Sequence, residues 1–270
     1  MSPKLAPITG TAAGVPFLAV PPVTARADAP VVVAWHLMDP PCTERAFAAA
    51  MPLDGMDAWR IYLGLPLSGA RLPAGGIDEV MRLGYEDAVL NLHHPADTQA
   101  AAEFPAALAD LRERLDLGDG PLALLGGSAG SAVAQLVMLQ GGLEVAAAVL
   151  VSPLAQLRPM VDALGEVYGF QYPWHPVAEA AAAELDFVAR AGEYTQPPPI
   201  RLIVGADDHP DGVVTPARRL HDAVPGSDLV LVDGMEHVLA EAPGVEPAPQ
   251  IPAAVEADRL AVEWLQRHLG

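Results

Sequence analysis

The sequence predicts an α/β fold, a mostly parallel, doubly wound sheet flanked by helices. Three observations point to it. Short apolar runs alternate with stretches of helical periodicity along most of the 270 residues. The runs are continuously apolar rather than alternating, which implies strands buried on both faces, as in a parallel sheet. Hydrophobic residues form 51% of the chain and charged residues 18%, a balance that supplies a core and excludes intrinsic disorder.

Taken in order, Val31-Val32-Val33-Ala34-Trp35 follows an Asp28-Ala29-Pro30 turn signal and reads as a first buried strand. Trp59–Leu63, Leu122–Leu125, Ala147–Val151, Ile200–Val204 and Leu229–Val232 read as five more. Helical patterns lie between them. Phe104, Leu108, Leu111 and Leu115 recur at helical spacing, with Asp110, Arg112, Glu113 and Arg114 on other faces. Thr215-Pro216 reads as an N-cap with proline at the first helical position, followed by a stripe of Ala217, Leu220 and Val224. Ala257, Leu260, Ala261, Trp264 and Leu265 fit the i, i+3, i+4, i+7, i+8 template of a helix packed on the sheet. Residues 154–199 separate two strands by far more than one crossover helix needs, and connections of that length usually serve function. They are expected to form a small helical cap inserted into a single domain spanning 1–270.

Charge narrows the classes of partner. Fifteen basic residues stand against 34 acidic ones, a formal net charge of −19, and Lys4 is the only lysine. Nucleic acid and anionic membrane surfaces both require a basic face, so neither is an expected partner. With Cys42 as the only cysteine there is no intrachain disulfide and no Cys-rich zinc site. Gly10, Gly14 and Pro16 interrupt the apolar residues near the N-terminus, so no run of signal-peptide length forms there, and no stretch approaches the length of a membrane span. A cytoplasmic protein is the expectation.

The chemistry concentrates after the third strand. Leu122–Leu125 runs into Gly126-Gly127-Ser128-Ala129-Gly130, and the residues beyond are mostly apolar. Strand, tight turn and buried helix around G-x-S-x-G are the context of a nucleophile elbow, which exposes the serine hydroxyl above the sheet. Gly126 and Gly130 are then small because the turn presses them against neighbouring backbone. Ala129, at the start of the helix, offers its amide and the positive end of the helix dipole to a developing oxyanion. A serine needs a base and the base an orienting carboxylate, expected in the chain order serine, acid, histidine. Two strands end in suitable residues: Ile200–Val204 in Gly205-Ala206-Asp207-Asp208-His209, and Leu229–Val232 in Asp233-Gly234-Met235-Glu236-His237. Both lie past carboxyl ends of strands, where open α/β sheets build their sites.

On these motifs the chain resembles the α/β-hydrolase family over nearly its full length. In that family the acid and the histidine each commonly follow a glycine by three residues, as in Gly205-Ala206-Asp207-Asp208 and Gly234-Met235-Glu236-His237. The resemblance implies Ser128 as nucleophile, Asp208 as orienting acid and His237 as general base and acid, with Asp207 and Asp211 as the rival carboxylates. It also implies a second oxyanion donor after the first strand, usually at a His-Gly dipeptide. Here the residues are His36-Leu37-Met38-Asp39, with leucine in place of glycine, and the Met38 amide is the expected donor, Leu37 the alternative. Relatives with a nucleophilic aspartate, the dehalogenases and epoxide hydrolases, differ at position 128.

Among the other histidines, His36 is expected to hold its loop by hydrogen bonding, and His93-His94 lacks further ligands at metal-binding spacing. The function expected is hydrolysis of a carboxylic ester through an acyl-enzyme, with thioester, lactone or amide bonds as variants. The substrate is a small acyl compound and no cofactor or metal is required. Acyl transfer by the same residues, and a non-catalytic ligand-binding protein of the same fold, are the alternatives.

Overall fold

A single sheet of eight strands organises the computed structural model, which describes residues 6–269; Lys4 lies outside them. The strands are β1 (Ile8–Ala12), β2 (Val15–Val20), β3 (Val31–Trp35), β4 (Trp59–Leu63), β5 (Leu122–Gly127), β6 (Val145–Val151), β7 (Ile200–Gly205) and β8 (Asp228–Val232). Their spatial order is β1-β2-β4-β3-β5-β6-β7-β8. From β4 to β8 every pairing is parallel, whereas β1–β2 and β2–β4 are antiparallel. All six strands expected from apolar runs are present.

The N-terminal hairpin was not expected. Its first strand is exposed at four of five positions, so it carries no apolar run to read. Ala13 and Gly14 turn the chain with φ of 45° and 86°. Two successive left-handed residues make the kind of tight turn whose twist suits a hairpin.

Among the described residues eight α-helices flank the sheet: α1 (Glu44–Ala50), α2 (Gly76–Glu86), α3 (His94–Leu115), α4 (Ala129–Gln140), α5 (Leu157–Tyr168), α6 (Pro176–Glu184), α7 (Thr215–Ala223) and α8 (Pro252–Leu269). Successive strand residues point to opposite faces, and each face is buried. Val31, Val33, Trp35, Leu122 and Leu124 pack with apolar residues of α3, α4 and α7 on one side. Val32, Ala34, Ala123, Leu125 and Ile203 pack with α1 and α8 on the other. This double burial is the physical reason that the central strands are apolar throughout.

Two readings are corrected or refined. Thr215 is not an N-cap: its φ of −65° and ψ of −46° are already helical, because α7 continues from a π-helical turn over Pro210–Val214. Capping falls instead to His209, whose Nδ1 accepts from the Gly212 amide at 3.1 Å. Residues 154–199 hold α5 and α6, and their ends are tied by a bridge between Gln156 and Asp186, with Gln156 Nε2 donating to the carboxylate at 3.0 Å. Tyr172 and Trp174 meet edge to face at 4.6 Å in the same segment. Among the described residues no helix is long and apolar enough to cross a membrane.

Candidate active site

The chain reverses direction at Ser128 between β5 and α4. Ser128 has φ 45° and ψ −114°, a conformation unfavourable for a residue with a side chain, and its amide donates to the Val151 carbonyl at 3.0 Å. A Cβ on Gly126 would lie 2.2 Å from the Gly130 carbonyl oxygen, and one on Gly130 only 2.3 Å from that of Trp35. Glycine at both positions is therefore steric necessity. A buried network braces the turn from behind. The Ser131 hydroxyl donates to the Ser128 carbonyl at 2.6 Å and accepts from the Leu154 amide at 2.9 Å. Gln135 Nε2 donates to the carbonyls of Ser131 and Leu154 at 3.2 and 3.1 Å. These two polar residues, four apart in the sequence, tie the elbow to Leu154, just beyond β6.

The loops after β7 and β8 converge on Ser128. They touch each other first: the Asp207 amide donates to the Met235 carbonyl at 3.1 Å, and a Cβ on Gly205 would lie 2.1 Å from that same oxygen. Close approach at Gly205 thus lets Asp208 reach His237. His237 Nδ1 lies 2.9 Å from Asp208 Oδ2, and His237 Nε2 lies 2.9 Å from Ser128 Oγ. The buried carboxylate accepts the Nδ1 proton, which leaves the Nε2 lone pair to accept from the serine hydroxyl. Asp208 is further fixed by accepting from the His209 amide at 2.7 Å. Asp207 and Asp211 are exposed and make no such contact. Burial works to lower the pKa of His237, but the hydrogen bond and charge of Asp208, with the charge of Asp39, outweigh it and the net direction is upward.

The loop after β3 forms the opposite wall. His36 is fully buried; its Nε2 accepts from the Leu65 amide at 3.0 Å, so its proton sits on Nδ1 and is donated to the Leu37 carbonyl at 2.6 Å. Burial pushes its pKa down to about 4, which keeps it neutral. A trans peptide points its N–H opposite its carbonyl. Holding the Leu37 carbonyl against His36 therefore turns the Met38 amide the other way. Neither the Met38 nor the Ala129 amide has an acceptor among the described residues.

Met38, Ser128 and His237 line one cavity of about 160 Å³, roofed by Met160, Ala163, Leu164, Val167 and Tyr168 of α5. Three further polar residues line it that sequence reasoning gave no role there: Asp39, His93 and His209. Asp39 Oδ2 is 4.0 Å from His237 Nε2. His93, 9% exposed, comes from the π-helical turn before α3. The signal for Asp39 was its place beside Met38; for His93 the sequence held none. His94 points elsewhere, to Glu184 at 2.9 Å. No three His, Cys, Asp or Glu side chains among the described residues are grouped so as to hold a metal ion.

This architecture is the α/β-hydrolase fold. TT1662 from Thermus thermophilus superposes with a TM-score of 0.63 at 17% identity, over 98% of this chain and 99% of that one. A puromycin-hydrolyzing peptidase of Mycobacterium tuberculosis gives 0.66 at 17% identity, over 98% of this chain, which spans only 39% of the peptidase. A mutant of the esterase rPPE gives 0.62 at 21% identity, over 98% of this chain and 82% of that one. No protein-family model and no curated protein matches the sequence.

Proposed function

We propose that the chain is a serine hydrolase that cleaves a small carboxylic ester through an acyl-enzyme. The observation that carries this reading is the unbroken path of hydrogen bonds from Asp208 through His237 to a strained Ser128, opening on a cavity. As Ser128 Oγ attacks the substrate carbonyl, its proton passes to His237 Nε2. The imidazolium that forms is stabilised by Asp208, which stays ionised. The carbonyl oxygen gains negative charge and is held by the amides of Ala129 and Met38, the former at the positive end of α4. His237 then gives its proton to the leaving oxygen and the C–O bond breaks. Water, deprotonated by the same nitrogen, attacks the acyl-enzyme and returns Ser128. Thioesters, lactones and amides are cleaved by the same steps; the volume of the cavity and its apolar roof favour a short acyl chain. Fold relatives that include an esterase and a peptidase are compatible with this class.

The test is turnover of para-nitrophenyl acetate, butyrate and octanoate by wild type and Ser128→Ala. Loss of the nucleophile is expected to lower kcat by at least about a thousandfold. Equal turnover by the two proteins rejects the proposal. So does failure of a fluorophosphonate to modify Ser128, because that modification requires an activated hydroxyl.

A further inference from the structure

Asp39 places a carboxylate, half-exposed to solvent, at the mouth of the cavity beside the reacting groups. It is 4.0 Å from the His237 nitrogen that also meets Ser128 Oγ, and it follows directly on Met38. Negative charge that develops on the attacked carbonyl oxygen is opposed by a nearby anion, although water at the half-exposed Asp39 screens part of that repulsion. The imidazolium of His237 offsets this only while it holds the serine proton. The described residues bring no permanent cation to this site. Among the described residues no Arg or Lys lines the cavity or forms an ion pair with Asp39. His93 is kept neutral by burial, which pushes its pKa down to about 4 against the pull of Asp39. His209 lines the same cavity, with its Nε2 3.4 Å from the Glu166 carboxylate.

We propose that Asp39 binds a positively charged nitrogen on the leaving group of the substrate, so that the enzyme prefers esters of amino alcohols. This deepens the serine-hydrolase reading and rests on it. The leaving-group side follows from the chemistry: His237 Nε2 hands its proton to the departing atom, so a residue beside Nε2 lies beside the leaving group. Two cavity residues suit such a ligand. His93 lines the cavity, and its Nδ1 is buried with no hydrogen-bond partner among the described residues. Tyr168 brings an aromatic ring to the same cavity, a surface on which a cation rests favourably.

The experiment uses two methylphosphonate thioesters with leaving thiols of matched shape, one ending in trimethylammonium and the other in tert-butyl. The rate of covalent modification of Ser128 by each is followed by mass spectrometry, in wild type, Asp39→Asn and Asp39→Glu. The ratio of the two rates cancels any change in the reactivity of the serine. Wild type is expected to react about tenfold faster or more with the cationic reagent, as a charge-assisted contact provides. Asp39→Asn should bring the ratio close to one and Asp39→Glu should retain part of it. Equal rates in wild type, a preference that survives in Asp39→Asn, or modification by a plain fluorophosphonate but by neither thioester overturns the inference alone. If the plain fluorophosphonate also fails to modify Ser128, the serine-hydrolase reading falls and this inference with it.

Discussion

At His237, burial favours the neutral imidazole while Asp208, and more weakly Asp39, favour the protonated one, and the carboxylates win. A general base must be unprotonated to act, so a raised pKa removes activity from the acid side of the pH range. The kcat/KM profile for a neutral ester should fall with decreasing pH through an apparent pKa above that of an ordinary histidine. Asp39→Asn should move that limb to lower pH, and an unmoved limb would show that Asp39 does not act on the ring. Asp97 illustrates the opposite balance. It is fully buried, both carboxylate oxygens lack a partner among the described residues, and burial raises its pKa well above the usual carboxylate range. The folded state therefore keeps a proton that the unfolded chain releases near its ordinary pKa, and stability contributed here falls as pH rises above that value. Asp97→Asn, which cannot ionise, is expected to gain in Tm relative to wild type between pH 5 and pH 8. Thermal denaturation at the two pH values checks it. In the sequence, Ser128, Asp208 and His237 could be picked out as candidates because each lies just past the carboxyl end of a strand, at the spacing from a glycine that the family resemblance implies. Asp39 and His93 follow no such pattern. Their place at the cavity comes from tertiary packing that local residues do not encode.

Among the elements, the turn from β5 into α4 depends on side chains as much as on its glycines. Ser131 satisfies the Leu154 amide and the Ser128 carbonyl at once, inside a site with no exposed surface. Removing the hydroxyl leaves a buried donor without its partner, which costs about 1–3 kcal/mol. Ser131→Ala is expected to lower stability by that amount in urea denaturation. It should reduce kcat more than it raises KM, because the strained backbone of Ser128 loses a restraint while the cavity walls keep theirs. Unchanged stability would mean that the network is incidental. Ser131 and Gln135 already shared a face in the sequence, but nothing local indicated that Leu154 would meet them. The central strands and α8 were readable because burial on the sheet leaves a regular apolar signature. The edge strand β1 was not, since an exposed strand needs no apolar residues. Nor was the true start of α7: a π-helical turn precedes Thr215, and Thr-Pro there mimics a cap.

For the molecule as a whole, topology and charge act on the same place. β3 is paired with β4 on one side and β5 on the other, so the chain leaves β3 in one direction and later returns to continue in the opposite one. At such a switch point the loops beyond neighbouring strands diverge and leave a crevice. The elbow after β5 and the His36–Asp39 loop after β3 are the two sides of that crevice. Around it lies a chain with 34 acidic and 15 basic residues. Self-repulsion of that excess opposes the compact state, and salt screens it. Salt also weakens the exposed ion pairs, such as Arg190–Glu193 and Arg259–Glu256, but pairs of that kind are worth little. Repulsion is the larger effect, so Tm should rise between low salt and about 0.5 M sodium chloride, where the screening length is only a few ångströms. The same negative field draws a cationic ester toward the site, and screening removes that attraction. Its kcat/KM should therefore fall over the salt range in which Tm rises, while that of a neutral ester of the same shape stays nearly level. Parallel salt responses of the two esters would mean that the acidic surface stabilises no cation near the crevice.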